Sequence, residues 1–375
     1  MLPIEMVDLR SQYARLKNEL EPAILSVASN ANYINGKEVK DFATALEQYL
    51  AVKHVIPVAN GTDALQIALM ALGIGPGDEV ITPDFTFIAT VEVVALLGAT
   101  PVVVDVNMDD FNINTEQLVS AINHKTKAIV PVHLFGQCAN LDTILEVAQK
   151  HNIPVVEDAA QALGATFKGK KFTGKAGTLG RIGCTSFFPS KNLGCFGDGG
   201  AIFTNDDEMA ETIRSIANHG SKIKYYHERL GVNSRLDTLQ ASILNVKLRH
   251  LDDFNLRRQN AAMFYDNALA GIKQIEIPKR NPFSDHIFHQ YTIKVPEGKN
   301  YELQQWLKEH NIPSMIYYPV PIHRQEAFRQ KLKTIGQITV SDILAKKVIS
   351  LPMHTELTEE QLSYICKTIE QFFNR

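Results

Sequence analysis

Residues 55–106 read VIPVANGTDALQIALMALGIGPGDEVITPDFTFIATVEVVALLGATPVVVDV. Short runs of β-branched residues alternate in this stretch with longer amphipathic runs, which predicts strands alternating with helices. The predicted order is strand Val55–Ala59, helix Asp63–Leu72, strand Glu79–Thr82, helix Phe85–Leu97 and strand Pro101–Val106. Strands that are separated by helices usually pair in parallel, with helices on both faces of the sheet. The stretch therefore predicts an α/β domain with a mostly parallel central sheet.

The alternation continues as far as Thr204. It predicts strands Ala128–His133, Pro154–Glu157, Thr185–Phe188 and Ala201–Thr204, and a helix Leu141–Lys150. Beyond Thr204 the sequence predicts a helix at Met209–Asn218 and one long helix at Leu236–Asn260, and strands become sparse after Gln274. We therefore predict a large domain at residues 1–248, including an N-terminal helical segment, and a smaller C-terminal α+β domain at residues 249–375.

Composition argues against several classes of function. The formal net charge is −3 and there is no long basic run, so non-specific binding to nucleic acid is not expected. The 4 cysteines include no Cys-x-x-Cys pair, which is typical of a reducing compartment. The sequence has no signal-peptide pattern, and no apolar run approaches the roughly 20 residues that span a bilayer. We expect a cytoplasmic protein that does not associate with membranes.

Motifs for metals and nucleotides are incomplete. Gly169–Ala176 resembles a P-loop, but Ala176 replaces the hydroxyl residue that contacts magnesium, so a basic hairpin is predicted instead. His286 and His289 have the spacing of metal ligands, but no Cys or carboxylate pattern accompanies them. We therefore predict no metal site.

Lys191 is the first candidate for chemistry. It lies in Thr185-Ser-Phe-Phe-Pro-Ser-Lys-Asn-Leu-Gly-Cys-Phe-Gly-Asp-Gly-Gly200, between two predicted strands. Most lysines are solvated surface residues, but the apolar and Gly-rich neighbours of this one allow a bulky ligand to approach closely. A partly desolvated lysine amine forms a Schiff base with an aldehyde, and this is what pyridoxal phosphate (PLP) requires.

Asp158 is the second candidate, at the end of the strand in Pro154-Val-Val-Glu-Asp-Ala-Ala-Gln161. Ligands of open parallel sheets bind at the carboxyl ends of the strands. A carboxylate at this edge can pair with the pyridinium nitrogen of PLP and keep it protonated. The alternative is that Asp158 caps a following helix. The presence of Lys191 further along the chain favours the cofactor role.

A phosphate site is predicted at Asn60-Gly-Thr-Asp-Ala64, between a strand and a helix. Free backbone amides at the start of a helix bind phosphate, and Gly61 allows the anion to approach. Ser186 can add a hydroxyl. Simple capping of the helix by Thr62 or Asp63 is the alternative and is compatible with phosphate binding.

An aromatic ring near the same edge comes from Thr82-Pro-Asp-Phe-Thr-Phe-Ile-Ala-Thr90. Such a ring can stack on a cofactor ring. Ordinary core packing is the alternative for either phenylalanine of this segment.

Together these segments resemble the DegT/DnrJ/StrS family of sugar aminotransferases, within the fold-type I PLP-dependent enzymes. The resemblance covers nearly the whole chain, and it includes Asp8-Leu-Arg-Ser-Gln-Tyr13 and Gly231-Val-Asn-Ser-Arg-Leu-Asp237. The order and spacing of the segments make it far more specific than any single motif. Val232 is a departure, because the family often has Tyr at this position.

The resemblance implies roles around the cofactor ring. Lys191 is expected to form the Schiff base and to shuttle the proton, and Asp158 is expected to pair with the pyridinium nitrogen. Gln161 is expected to donate a hydrogen bond near the ring oxygen of the cofactor. Phe87, rather than Phe85, stands where the family stacks an aromatic side chain on PLP.

The resemblance also implies how phosphate is bound. The expected contacts are Gly61, Thr62 and Ser186 of one subunit and Asn233 of a second subunit. It therefore implies a homodimer with shared active sites.

A substrate loop is indicated at Ile316-Tyr-Tyr-Pro-Val-Pro-Ile-His323, with Tyr317, Tyr318 and His323 as candidate contacts. This loop resembles most the subgroup that aminates the 3-keto sugar of a UDP-linked acetamido uronic acid. In that subgroup an arginine at the position of Arg235 meets the sugar carboxylate, and a guanidinium fork suits a carboxylate. Alternatively, Arg235 bonds only structural carbonyls or phosphate, and Tyr318 and His323 are packing residues.

The implied function is transfer of an amino group from L-glutamate to a nucleotide-linked keto sugar, in cell-surface polysaccharide or lipopolysaccharide O-antigen synthesis. The expected substrate is UDP-2-acetamido-3-keto-glucuronic acid or a dTDP-keto-deoxysugar. A related PLP-dependent sugar dehydratase is disfavoured, because that branch carries His at the position of Lys191. Another fold-type I enzyme, such as a desulfurase or an amino-acid aminotransferase, would share the fold, as would a non-catalytic regulator.

Overall fold

The computed structural model describes residues 3–223 and 225–375; Met1 and Leu2, where the predicted large domain begins, lie outside the described residues, as does Lys224. The strands are β1 (His54–Val58), β2 (Glu79–Pro83), β3 (Thr100–Val104), β4 (Thr126–Ile129), β5 (Val156–Asp158), β6 (Thr166–Lys168), β7 (Thr173–Lys175), β8 (Ile182–Ser186), β9 (Gly200–Thr204), β10 (Ser221–Ile223), β11 (Tyr226–His227), β12 (Tyr291–Lys294), β13 (Lys333–Thr334) and β14 (Val348–Leu351).

The helices are α1 (Leu9–Asn30), α2 (Lys37–Leu50), α3 (Gly61–Ala71), α4 (Ala89–Leu96), α5 (Thr115–Ala121), α6 (Leu141–His151), α7 (Asp207–Ala217), α8 (Thr238–Leu248), α9 (Leu251–Leu269), α10 (Lys299–Glu309), α11 (Val340–Ala345) and α12 (Glu359–Asn374). Short 3-10 turns lie at Leu134–Gly136, Ile322–Arg324 and Glu326–Phe328. Within the described ranges, no helix is both long enough and apolar enough to cross a membrane.

The central sheet consists of two four-stranded blocks, ordered β1-β9-β8-β5 and β13-β3-β2-β4. Parallel bridges Ile129↔Val155 and Val132↔Asp158 join the blocks. Only β9 runs against its neighbours β1 and β8 within these blocks, so the described sheet is mostly parallel, as predicted. The carboxyl ends of β1, β2, β5 and β8 consequently meet at one edge.

Helices cover both faces of this sheet, which explains why its inner strands have no polar face. β2 and β9 are buried at every position. Ile67 of α3 and Ile213 of α7 pack on one face, whereas Leu118 of α5 and Ile144 of α6 pack on the other. Parallel strands that are buried on both faces are continuously apolar rather than alternating.

The predicted long helix Leu236–Asn260 is in fact two helices. α8 ends at Leu248, and α9 begins at Leu251 after His250, whose φ of −104° and ψ of 0° are not helical. The side chains of Arg249 and His250 both bond to Glu19 of α1, at 3.0 and 2.9 Å. No glycine or proline marks this bend, so the local sequence gives no sign of it.

The C-terminal part has its own apolar core, built on the antiparallel pair β12–β14 and on α9, α10 and α12. Two segments cross the domain boundary that we predicted. Ile4 packs in this C-terminal core, and β13 pairs with β3 at the edge of the large sheet. The two parts of the chain are therefore tied together at both ends.

Candidate active site

The predicted phosphate contacts meet at the carboxyl edge of the sheet. Ser186 ends β8, and Gly61 and Thr62 begin α3. A Cβ atom placed on Gly61 would lie 2.7 Å from Cβ of Ser186, closer than side chains permit. Glycine at position 61 is therefore required for this approach of α3 to β8.

The start of α3 is capped by Asn60, whose Oδ1 accepts from the backbone N–H of Asp63 at 2.8 Å. The alternative prediction that Thr62 or Asp63 caps the helix is therefore wrong. The Asp63 carboxylate instead accepts from Ser234 Oγ at 2.6 Å. The N–H groups of Gly61 and Thr62 have no acceptor within the helix, and together with the helix dipole they favour an anion.

Asp158 is a buried carboxylate, only 6% exposed, at the end of β5. Its Oδ2 accepts from Thr90 Oγ1 at 2.8 Å, and its Oδ1 accepts from the N–H of Ala160 at 3.1 Å. The chain then forms turns and enters β6 without an intervening helix, so the helix-cap alternative for Asp158 is wrong. Thr90, which fixes the carboxylate, was not singled out from the sequence.

Lys191 lies in a turn that follows β8, and its N–H donates to the carbonyl of Phe188 at 2.8 Å. Burial lowers the pKa of Lys191 to about 8, although the negative charge of Asp158 opposes this shift. With such a pKa, the amine is neutral in about one tenth of the molecules at pH 7, a far larger fraction than for a solvated lysine. This amine is therefore suited to act as a nucleophile and as a base.

Gln161 links the carboxyl edge of the large sheet to the predicted substrate loop. Its Oε1 accepts from the N–H of Phe135 at 2.8 Å, and its Nε2 donates to the hydroxyl of Tyr318 at 3.1 Å. Burial raises the pKa of Tyr318, and the hydroxyl remains protonated at neutral pH. The predicted substrate loop thus contacts the end of the large sheet through Tyr318.

The two phenylalanines that follow β2 have different environments. Phe85 is fully buried, whereas the ring of Phe87 is 54% exposed. The ring of Tyr318 has its centroid 5.9 Å from that of Phe85 and 6.5 Å from that of Phe87. Tyr317 is half-buried and packs beside Tyr318, at 5.8 Å between centroids. Phe87 is therefore the ring that is open to a ligand.

His323 is held by a carboxylate that the sequence analysis did not single out. Its N–H and Nδ1 each lie 2.8 Å from an oxygen of Asp84, which is buried directly after β2. Its Nε2 lies 3.5 Å from Asp342. The hydrogen bond to Asp84 raises the pKa of His323 above its ordinary value.

This pair is expected to make folding stability depend on pH. Because the pKa of His323 is higher in the folded protein, its stabilising effect is complete below about pH 6.5 and is lost as the pH rises through the folded-state pKa. We expect the unfolding free energy of wild type to exceed that of His323→Gln. This difference is expected to be about 1 to 2 kcal/mol larger at pH 6 than at pH 9. Urea unfolding at both pH values measures this, with exposed His124→Gln as control. A gap between wild type and His323→Gln that does not change with pH contradicts it.

Asn233 and Arg235 precede α8 and stand apart from these contacts. Asn233 is exposed and Arg235 is half-buried, and neither side chain has a hydrogen bond or ion pair with another described residue. The segment is nevertheless anchored beside α3, because Ser234 Oγ accepts from the N–H of Ala59 at 3.0 Å as well as donating to Asp63.

A buried pair beside Asp158 was missed from the sequence. Glu157 and His133 are both fully buried, with Oε2 of Glu157 2.8 Å from Nε2 of His133. Glu157 also accepts from the N–H groups of Gly177 and Leu179 at 2.9 and 2.7 Å. Burial acts to raise the pKa of Glu157, but these hydrogen bonds outweigh it and hold the pKa below its ordinary value. The carboxylate therefore fixes the turn that leads into β8.

The remaining motif predictions concern metals and nucleotides. The P-loop-like segment spans the antiparallel hairpin β6–β7, as predicted. Its amides at Lys170 and Phe172 donate to the carboxylate of Asp142. In the part of the chain that the structure describes, no group of three or more His, Cys, Asp or Glu residues is arranged to hold a metal ion.

Comparisons with known proteins identify the family of this chain. Residues 14–370 match the model of the DegT/DnrJ/EryC1/StrS aminotransferase family. The chain is 46% identical over 370 residues to UDP-2-acetamido-2-deoxy-3-oxo-D-glucuronate aminotransferase of Pseudomonas aeruginosa, covering 98% of this chain and 99% of the relative. It is also 46% identical over 372 residues to a protein of Geobacillus stearothermophilus named pleiotropic regulatory protein, with 99% and 98% covered.

A solved structure extends the agreement to the fold. DesV of S. venezuelae, solved in complex with a ketimine intermediate, superimposes with a TM-score of 0.95 at 38% identity and full coverage of both chains. The predicted fold class, an α/β fold-type I PLP-dependent transferase, is thereby confirmed. The chain belongs to the DegT/DnrJ/EryC1/StrS aminotransferase family.

Proposed function

We propose that this chain is a PLP-dependent aminotransferase that moves the amino group of L-glutamate to the keto carbon of a nucleotide-linked sugar. The observation that carries the proposal is the position of Lys191 in the turn after β8, at the edge of the sheet where β5 ends in Asp158 and α3 begins. Burial lowers the pKa of this lysine to about 8, and the charge of Asp158 opposes that shift. The favoured substrate is UDP-2-acetamido-3-keto-glucuronic acid, the sugar named for the Pseudomonas relative. A dTDP-keto-deoxysugar is the second candidate.

The residues at this edge fit PLP. The close approach of Gly61 to Ser186 brings the Ser186 side chain beside the free amides of α3, and a larger residue at position 61 would collide with Ser186. In our proposal, Gly61, Thr62 and Ser186 hold the phosphate and Phe87 faces the ring. Asp158, held by Thr90, pairs with the pyridinium nitrogen. When bound, PLP supplies an electron sink that stabilises negative charge on the carbon that loses a proton.

Lys191 moves the proton in both halves of the proposed cycle. Its neutral amine takes a proton from Cα of L-glutamate. Water then breaks the bond from that carbon to nitrogen and supplies the keto oxygen of 2-oxoglutarate, which departs and leaves the nitrogen at the site. The same Nζ then delivers a proton to the sugar carbon that receives the nitrogen. A base with a pKa near 8 suits both directions at neutral pH. The two substrates act in turn, so ping-pong kinetics are expected.

The proposed enzyme is a homodimer in which Asn233 of each subunit contacts the phosphate bound by the other. Two features of the described surface support this. Asn233 is exposed, and its side chain has no hydrogen bond to another described residue. The nearby β10–β11 region exposes Ile223, Tyr226 and Leu230, the last by 89%. Exposed apolar side chains in one region mark surfaces that another chain covers. We place the enzyme in the cytoplasm, in cell-surface polysaccharide or O-antigen synthesis.

Three competing functions are less consistent with the site. A sugar dehydratase of the related branch is expected to lack Lys191. An amino-acid aminotransferase needs an arginine for the substrate carboxylate, but Arg324 is paired in two hydrogen bonds with Asp342 and Arg329 with Glu326. A regulator without catalytic activity has no need of a lysine with a lowered pKa opposite a buried carboxylate.

Arg235 provides the test of the sugar. If its guanidinium binds the sugar carboxylate, Arg235→Ala raises KM for the UDP-linked keto uronic acid about 100-fold, because a charged two-point hydrogen bond is lost. KM for the corresponding keto sugar without a carboxylate is expected to change less than about threefold. Steady-state assays with both sugars measure this.

Arg249→Ala is the matched control, since Arg249 is exposed and bonds only to Glu19 among the described residues. We expect it to leave both KM values unchanged. If Arg235→Ala raised KM equally for both sugars, Arg235 would have a structural role. The dTDP-linked sugar would then be the better candidate.

A further inference from the structure

α8 carries a buried lysine that the proposed reaction does not use. Lys247 is 1% exposed, and it forms no ion pair with any described carboxylate. Its Nζ donates to the backbone carbonyl of Gly194 and lies 5.6 Å from the centroid of the Phe196 ring. Burying an ammonium group without a carboxylate partner costs folding free energy. A lysine at this position is therefore expected to have a function that offsets this cost.

Gly194 belongs to the glycine loop, residues 191–200, which begins at Lys191. The loop folds back on the end of β8, and Cys195 donates its N–H to the carbonyl of Phe187 at 2.8 Å. A Cβ on Gly194 would lie 2.3 Å from the carbonyl oxygen of Pro189, so only glycine permits this turn. Lys247 therefore holds the loop three residues beyond the amine that reacts.

A second helix supports the same loop. Nδ2 of Asn192 donates to Oδ1 of Asn255 on α9 at 2.7 Å. Side chains of two consecutive helices thus hold the loop, since Gln240 of α8 also accepts from the N–H of Phe196 at 2.8 Å. Such anchors matter here, because a chain with four glycines in ten residues has a large conformational entropy to lose.

The bond to Gly194 involves a charged donor at neutral pH. Burial lowers the pKa of Lys247 to about 8, the charge of Arg258 lowers it further, and Cys195 opposes the shift. The amine is therefore mostly protonated at pH 7. Hydrogen bonds from charged donors are roughly twice as strong as neutral ones.

We propose that Lys247 is a positioning residue whose ammonium binds the Gly194 carbonyl and thereby fixes the glycine loop and the place of Lys191. This inference rests on the proposed role of Lys191. An apolar residue at position 247 leaves a buried carbonyl without a donor, so the loop rearranges. A shift of the reacting amine by about 1 Å costs up to 100-fold in rate.

The test compares Lys247→Met with Lys294→Met. Lys294 is also buried and also donates to a backbone carbonyl, that of Met108 at 3.0 Å, but it lies on β12 of the C-terminal core. We expect amide hydrogen exchange in peptides covering residues 192–200 to be at least tenfold faster in Lys247→Met, measured without PLP. We also expect kcat to fall at least tenfold while both KM values stay within threefold. Lys294→Met leaves both readouts at their wild-type values.

The proposal is overturned if a folded Lys247→Met protein has the wild-type rate of amide hydrogen exchange in this loop, or the wild-type kcat. If that variant does not fold, the same measurements on Lys247→Leu, which also lacks a donor, decide by the same criteria. Failure of the proposed function is recognised separately: wild-type protein then shows no visible absorption band with PLP, whereas loop exchange, measured without PLP, still tests the bond to Gly194.

Discussion

Lys191→Ala is expected to lose at least about 10⁴-fold in kcat, because one substitution removes both the nucleophile and the base. The visible absorption band of bound PLP is expected to be absent as well. Folding should survive, since removal of a partly desolvated amine with a pKa of about 8 relieves an unfavourable burial. Steady-state assays, absorption spectra and thermal unfolding of the purified variant measure the three effects.

Two further variants sharpen this test. Lys191→Arg keeps a cation but cannot form the Schiff base, so it is expected to be as inactive as Lys191→Ala. Lys175→Ala removes another lysine that bonds to a backbone carbonyl, that of Gly164 at 3.1 Å, and is expected to keep full activity. Turnover within tenfold of wild type in Lys191→Ala would refute the assignment of this lysine.

Asp158→Asn is expected to lower kcat by on the order of 10²- to 10⁴-fold while PLP still binds, because the shape of the side chain is kept and its charge is lost. The proposed pyridinium partner then no longer keeps the nitrogen protonated. Asp158→Asn is also expected to change the pKa of Lys191 in the protein without PLP. The charge of Asp158 raises the pKa of Lys191, so its removal should shift that pKa below about 8.

Thr90→Val separates charge from position. It keeps the carboxylate of Asp158 but removes the hydrogen bond at 2.8 Å that orients it. A loss of no more than about tenfold is expected, consistent with the value of a single hydrogen bond to a charged group. If Asp158→Asn were as active as wild type, or were weaker only because PLP failed to bind, the pyridinium assignment would be wrong.

Much of the fold was predictable because its signals are local. The alternation between residues 55 and 204 predicted most of the strands and helices, because most elements show their own period. It missed α5, and β4 and β8 begin earlier than predicted. The antiparallel direction of β9 depends on which strands become its neighbours, and this is not encoded in a five-residue apolar run. The bend at Arg249–His250 was also missed, because it is stabilised by contacts with Glu19 of α1 rather than by glycine or proline.

The candidate site divides in the same way. Lys191 and Asp158 could be proposed because each lies at or after the end of an apolar strand, and the resemblance to the family indicated Phe87. Their supporting residues were not visible, since each joins segments far apart in sequence. Thr90 reaches Asp158 across 68 residues, and Asp84 reaches His323 across 239. Lys247 shows this most clearly, because a lysine in a helix is normally expected to face solvent.

The central claim, that this chain carries amino groups on PLP bound at Lys191, is tested most directly by an absorption spectrum. Purified protein is loaded with PLP, and spectra are recorded before and after L-glutamate and then after the UDP-linked keto uronic acid. We predict a visible band that L-glutamate converts to a shorter-wavelength band and that the keto sugar restores. A protein with no visible band, or with a band that neither L-glutamate nor any other amino donor changes, would contradict the account.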